Sequence, residues 1–184
     1  AVLNVNGFPD FNNDENICVI TNDQQIEVDR FRYSETFHYP LLNDAESYSL
    51  ERISFTRTTQ DSTNWHTAAE SLKATPAYKN SQSESPAATD NTVTIEPETF
   101  SPDNDGYNDV LNVHLQLNEP GLTANVQVYD NRGQLVQYLL RNQLLGTDET
   151  KISWDGINLD NEKARIGIYI LYTEIFNQNG DVKK

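Results

Sequence analysis

Three aspartates fall within seven residues in the run Asp103-Asn104-Asp105-Gly106-Tyr107-Asn108-Asp109. Carboxylates spaced two apart around a glycine turn, with a backbone carbonyl between them, suit a calcium ion, which collects roughly six to eight oxygens. With Gly106 aligned to the glycine of an EF-hand loop, Ser101, Asp103 and Asp105 take positions 1, 3 and 5, the Tyr107 carbonyl position 7 and Asp109 position 9. Asn112 stands at position 12, where that loop needs a bidentate acid, so the EF-hand match fails and a partial cage is left. The expectation is calcium held by Asp103, Asp105, Tyr107 and Asp109. The competing reading is an Asx-rich turn that launches a strand at Val110.

Catalytic chemistry is poorly supplied. The histidines are His38, His66 and His114, with no His-x-x-x-His zinc spacing and no Gly-x-Ser-x-Gly elbow anywhere in the chain. His114 falls on the polar face of a strand, where exposure is expected, and His66 beside Trp65 reads as a packing residue. Cys18 is the sole cysteine, so an internal disulfide and a cysteine-based zinc site are excluded. Within Ile17-Cys18-Val19-Ile20 it reads as a buried structural thiol. The acids of Asp10-Phe11-Asn12-Asn13-Asp14-Glu15, and Asp155, Asp160 and Glu162, read as solvated loop charges. No nucleophile, base and orienting group can be assembled, so the chain is expected not to be an enzyme, with no catalytic and no cofactor-binding residue. Tyr33, Phe37, Tyr39, Tyr48 and Tyr78 could stack on sugar rings if they are exposed and coplanar; otherwise they complete a small core.

The 184 residues carry 28 acids and 13 bases, a formal charge of −15. A chain so acidic is repelled by phosphate backbones and anionic lipids, which argues against nucleic-acid binding and membrane association. No apolar run reaches the roughly 20 residues of a membrane-spanning helix. Hydrophobic residues make up only 36%, yet aromatics at 10% argue against wholesale disorder. The acidity is spread out: twelve acids and six bases lie before residue 83, sixteen and seven after it. Methionine is absent, so residue 1 is not a translational start, and the chain reads as a mature or excised piece of a longer one.

Strands must position these groups. Leu111-Asn112-Val113-His114-Leu115-Gln116-Leu117 alternates strictly, and Leu122, Ala124, Val126 and Val128 alternate with Thr123, Asn125 and Gln127, each pattern predicting one dry and one wet face. Asn118-Glu119-Pro120-Gly121 and Asp130-Asn131-Arg132-Gly133 supply turns. Gln134–Leu140 and Lys151–Trp154 follow, and Ile166–Phe176, apolar on both faces, reads as a central strand. Earlier, Ile17–Ile20, Gln25–Tyr33 and Tyr48–Phe55 read as strands, with a bulge near Asp29-Arg30 where the apolar parity switches from Ile26 and Val28 to Phe31 and Tyr33. Thr56 to Ser81 is loop-like, with Trp65 as its anchor. The polar stretch Lys79–Asn91 divides the chain into residues 1–82, a linker at 83–93, and residues 94–184.

Two sets of residues resemble known families. Asp29-Arg30-Phe31-Arg32-Tyr33-Ser34, Ser49-Leu50-Glu51-Arg52, Asn64-Trp65 and Thr75-Pro76-Ala77-Tyr78-Lys79-Asn80 resemble, over residues 7–82, the C-terminal part of bacterial lamin-tail domains. Phe100-Ser101-Pro102-Asp103-Asn104-Asp105-Gly106-Tyr107-Asn108-Asp109, Val128-Tyr129-Asp130-Asn131-Arg132-Gly133, Trp154-Asp155-Gly156 and Gly167-Ile168-Tyr169 resemble, over residues 94–184, the FlgD-like immunoglobulin domain found at the ends of secreted Bacteroidetes proteins. The resemblances imply an all-β chain of two immunoglobulin-like β-sandwiches in tandem, both truncated: the first family's opening strands and the second's last strand have no counterpart here. They further imply a non-catalytic C-terminal accessory region of an exported multidomain protein, extracellular or at the cell surface, serving spacing, attachment or secretion. Its partners would be the type IX secretion machinery or upstream domains of the same protein. The alternative is a glycan-binding or adhesive module.

Overall fold

The computed structural model describes residues 10–42, 44–84 and 90–183, so residues 1–9 of the expected first domain and 85–89 of the expected linker lie outside the described residues. The fold is all-β, in small sheets of the immunoglobulin-like sandwich kind, as expected. In the first half, β1 (Glu15–Thr21) and β2 (Glu27–Ser34) form an antiparallel hairpin, and β3 (Leu50–Arg52) pairs antiparallel with β4 (Trp65–Thr67). Asn22 closes the hairpin, its side-chain oxygen accepting from the N–H groups of Gln24 and Ile26. The register slips between Ile20 opposite Asp29 and Thr21 opposite Glu27, which makes Val28 the extra residue and sets the bulge just before the expected Asp29-Arg30. Asp29, Phe31 and Tyr33 then share the inner face, while Val28 stays 65% exposed.

Trp65 anchors the long loop as its size suggests. Its ring stacks on Phe31, with centroids 3.7 Å apart, and its indole N–H donates to the Thr59 carbonyl at 2.9 Å. Cys18, expected to be buried, is only half-buried, because its hairpin is covered on one side and no further strand flanks β1 among the described residues.

The second half stacks two antiparallel sheets. One runs β11 (Val182–Lys183), β10 (Tyr169–Phe176), β7 (Thr123–Asp130), β8 (Leu135–Leu144); the other runs β5 (Thr92–Glu96), β6 (Leu111–Gln116), β9 (Thr150–Trp154). Alternation fixes which side faces in. Leu115 and Leu117 meet Leu122, Ala124, Val126, Leu140, Leu145 and Ile175 in the main core, and Val113 is buried beside them on the same face of β6. Leu111, Val128 and Trp154 close a second cluster with Phe100 and Tyr169 at the far end. Ile166–Phe176 does not form one strand: β10 starts at Tyr169, and Ile166 and Ile168 lie outside it, exposed.

Thr123 was expected on the wet face but is buried, because the first half covers that end of the sheet and the Thr123 hydroxyl donates to the Tyr39 hydroxyl at 2.6 Å. Gln82, buried completely, donates from its side-chain amide to the Leu145 carbonyl at 3.0 Å and accepts from the Gly121 N–H at 2.9 Å. The N–H and hydroxyl of Thr147 both reach the Ser81 carbonyl, and Glu70 accepts from the Leu144 N–H at 3.1 Å. Replacing Gln82 by leucine strands the Gly121 N–H and Leu145 C=O without partners, at about 1–3 kcal/mol each. Urea unfolding of Gln82→Leu should therefore show a loss of at least about 2 kcal/mol.

Candidate functional site

The aspartate loop folds back on itself through three residues of positive φ, Asn104, Gly106 and Asn108. Asp109 accepts from the Asn104 N–H at 2.6 Å through one oxygen and from the Gly106 N–H at 2.8 Å through the other. Asp103 accepts from the Asp105 N–H at 3.2 Å, and Asp105 from the Tyr107 N–H at 2.8 Å. These bonds draw Asp103, Asp105 and Asp109 together until one oxygen of each lies within 4.8 Å of the others. A carboxylate has roughly four lone-pair sites, so one or two backbone donors leave each with capacity for a cation. Tyr107 enters the loop through its backbone, its ring being exposed. Ser101, the other position aligned to the EF-hand, donates its hydroxyl to Asp103 at 3.3 Å. Among the described residues no other cluster of acids, histidines or cysteine converges in this way, the acids at 10–15 and 155–162 included.

The loop rests on the second core cluster. Trp154 is buried against Phe100, with centroids 5.4 Å apart, and edge-on against Tyr169 at 5.1 Å. Gly156 (φ +76°) passes so close to Pro102 that a Cβ would lie 2.8 Å from its ring. Lys163 donates to the Pro102 carbonyl at 2.7 Å. The motif residues at 100–109, 128, 154–156 and 169 are thus one contiguous packing unit with the loop on its surface.

Polar residues of the first half form a second assembly. Glu51 is buried, holds no ion pair among the described residues, and accepts from the Thr75 hydroxyl, the Ser81 hydroxyl (2.6 Å) and the Gln82 N–H (3.2 Å). Asn64, buried, pairs both ways with the Ser54 backbone at 2.9 Å, and Asn80 donates to the Arg52 carbonyl at 2.9 Å. Every bond named here ends on a neighbouring segment of the chain. Glu51 belongs to the Ser49–Arg52 run that carries the first resemblance, but its burial and that of Gln82 have no signal in the local pattern.

The histidines sit where strands and halves meet. His66 packs under Gly121, places Nε2 2.7 Å from Gln178 Nε2, and shares its other nitrogen with the Thr67 carbonyl at 3.2 Å. His38 bonds the Thr67 hydroxyl at 3.1 Å. Burial pushes both imidazoles below the ordinary histidine range, helped at His38 by the neighbouring His66. His114, expected in solvent, is instead hemmed by Glu149 on Nδ1 (3.0 Å) and Glu96 near Nε2 (3.2 Å), because β5 and the lead into β9 flank it. Of the aromatics that could stack on sugars, Tyr39 is buried, Tyr33, Phe37 and Tyr48 are half-buried, and only Tyr78 stands well exposed. A coplanar exposed platform is not found among the described residues.

The second half is thus an all-β unit with a glycine-turn acid loop seated on a buried tryptophan. Residues 94–184 match the model of the CHU_C type IX secretion signal domain. The matched CHU_C region takes in both sheets of the sandwich, the aspartate loop and the Trp154 cluster. A type IX secretion signal is a non-enzymatic targeting region recognised by the secretion machinery, and it implies export to the cell surface or the extracellular space. No curated protein and no solved structure shows a significant match to the chain. Among the described residues no helix is long and apolar enough to cross a membrane.

The half-buried His38 and His66 predict a pH-dependent stability. Their folded pKa values lie below the unfolded value near 6.5, so their contribution is complete above about pH 6.5 and is lost as the pH falls below it. The melting temperature should fall between pH 7.5 and 5.5, and a His38→Asn/His66→Gln variant should flatten that slope in thermal melts.

Proposed function

We propose that residues 94–184 are the C-terminal export signal of a Bacteroidetes protein, built as a FlgD-like immunoglobulin domain, and that residues 1–82 are a lamin-tail-like module joined to it through the 83–93 linker. The chain as a whole is a non-catalytic accessory region that spaces or attaches whatever it is fused to once outside the cell. The observation that carries this reading is the family match over 94–184. The hydrogen-bonded seam between the halves supports a rigid spacer in place of two beads on a string, since Gln82, Ser81, Tyr39 and Glu70 all bond across it. The residues that carry the lamin-tail resemblance, Asp29, Glu51, Asn64 and Asn80, each tie a loop to a neighbouring segment, a structural use consistent with a spacer. A reporter routed to the periplasm of a bacterium with a type IX system and fused ahead of residues 1–184 should reach the medium or cell surface. Removal of 94–184 should retain it in the periplasm, and export without that region would sink the reading.

The convergence of three carboxylates supports a second component, a bound calcium ion on Asp103, Asp105, Asp109 and the Tyr107 carbonyl, which would stiffen the loop after export into a calcium-containing medium. Calcium that binds only the folded state raises stability by mass action. Excess chelator should then lower the melting temperature of the calcium-equilibrated protein, and Asp103→Asn/Asp105→Asn should remove that shift. Identical melts with calcium and with chelator would exclude the ion.

A further inference from the structure

Large apolar side chains collect at one end of the second sandwich. Ile166 is fully exposed at 108% of its reference area, Ile168 at 78% and Ile170 at 53%, while Tyr169 between them turns inward onto Trp154. Beside them an open cavity of about 820 Å³ lies between the 130–136 hairpin and the 158–169 segment, with Leu159 half out of its wall. Exposed apolar surface gathered in one place costs solubility and marks an interaction site more often than scattered residues do. Charge is also unusual here. Arg132, Lys163 and Arg165 line the same cavity, three of the seven cations after residue 82 in a chain of net charge −15. Lys163 is engaged by the Pro102 carbonyl, but Arg132 and Arg165 hold no ion pair among the described residues. Asp130 on the same rim is turned into its own hairpin, accepting from the N–H groups of Arg132 and Gln134.

We propose that Ile166, Ile168 and Ile170, flanked by Arg132 and Arg165, form the face by which the secretion machinery reads this domain, through an apolar groove with acidic groups at its rim. The proposal rests on the export reading above and adds its recognition surface. Two guanidinium groups without an ion pair among the described residues, bordering bare isoleucines, complement such a groove. Exposed apolar anchors ringed by charge are the pattern of interface hot spots, with the apolar centre setting lifetime and the rim setting encounter.

The test uses the same reporter fused ahead of the full chain. Ile166→Glu/Ile168→Glu should cut export about tenfold or more, as loss of a hot spot does, while the purified variant keeps the wild-type melting temperature because both side chains are exposed. Arg132→Glu/Arg165→Glu should reduce export separately, and Tyr78→Ser, equally exposed but in the first half, should leave it unchanged. Wild-type export by Ile166→Glu/Ile168→Glu overturns the recognition face and leaves the export reading standing. Retention of the unsubstituted fusion overturns the export reading itself. A dimer that the isoleucine variant dissociates without any loss of export would assign the face to a second copy of the chain and so overturn the proposal.

Discussion

A fully buried side-chain amide holds the two halves of this protein together. Buried backbone groups must find partners, and the Gly121 N–H and Leu145 C=O belong to connections that leave the sheets and have none of their own. Gln82 supplies both at once, and its backbone N–H reaches back to the carboxylate of Glu51. Glu51 in turn holds no ion pair among the described residues and is satisfied by hydroxyls from Thr75 and Ser81. Several donors converge on this buried side chain and give its oxygens the partners that burial requires. The path of residues 75–83 is therefore dictated by two side chains, and the first half is seated against β7 and β8 as a consequence. Tyr39 on Thr123, Glu70 on Leu144 and His66 under Gly121 follow from that seating.

At the opposite end of the sandwich Trp154 plays the comparable apolar part. Its ring fills the space between Phe100 and Tyr169, and the glycine two residues later lets the chain pass against Pro102. The aspartate loop is held from below by this cluster and from within by its own Asx bonds, so its carboxylates converge whether or not anything sits between them. Turning Tyr169 inward has a second effect: its neighbours Ile168 and Ile170 must point the other way. The same packing decision that supports the acid loop also bares the isoleucines.

The alternating strands of the second half were legible at single-residue level. Val113, Leu115, Leu117, Ala124, Val126 and Val128 all face the core as their spacing requires, and the turn at Asp130–Gly133 forms with the carboxylate and the positive-φ glycine in their expected roles. The convergence of Asp103, Asp105 and Asp109 was also readable, since spacing and glycine alone bring them near one another. Other residues were misplaced for identifiable reasons. Val28 carries an apolar side chain, but the bulge that consumes it turns it to solvent. Thr123 and His114 read as wet because alternation sees a single sheet, and each is covered by a segment distant in sequence. Cys18 sits in an apolar run on a hairpin with one covered face, so its surroundings stay half open.

Sequence by itself determined the local grammar of this protein: period-two strands, glycine and asparagine turns, an acid loop without an EF-hand's closing ligand, and a net charge of −15 spread over both halves. Those properties depend on neighbours a few residues apart, which sequence displays directly. Tertiary structure alone decided that Gln82 and Glu51 would be interior, that His66 would lie half-buried under a glycine, and that Ile166, Ile168 and Ile170 would stand outside. Each of those outcomes depends on which distant backbone arrives to satisfy a polar atom or cover an apolar one, and side-chain type does not encode that arrival.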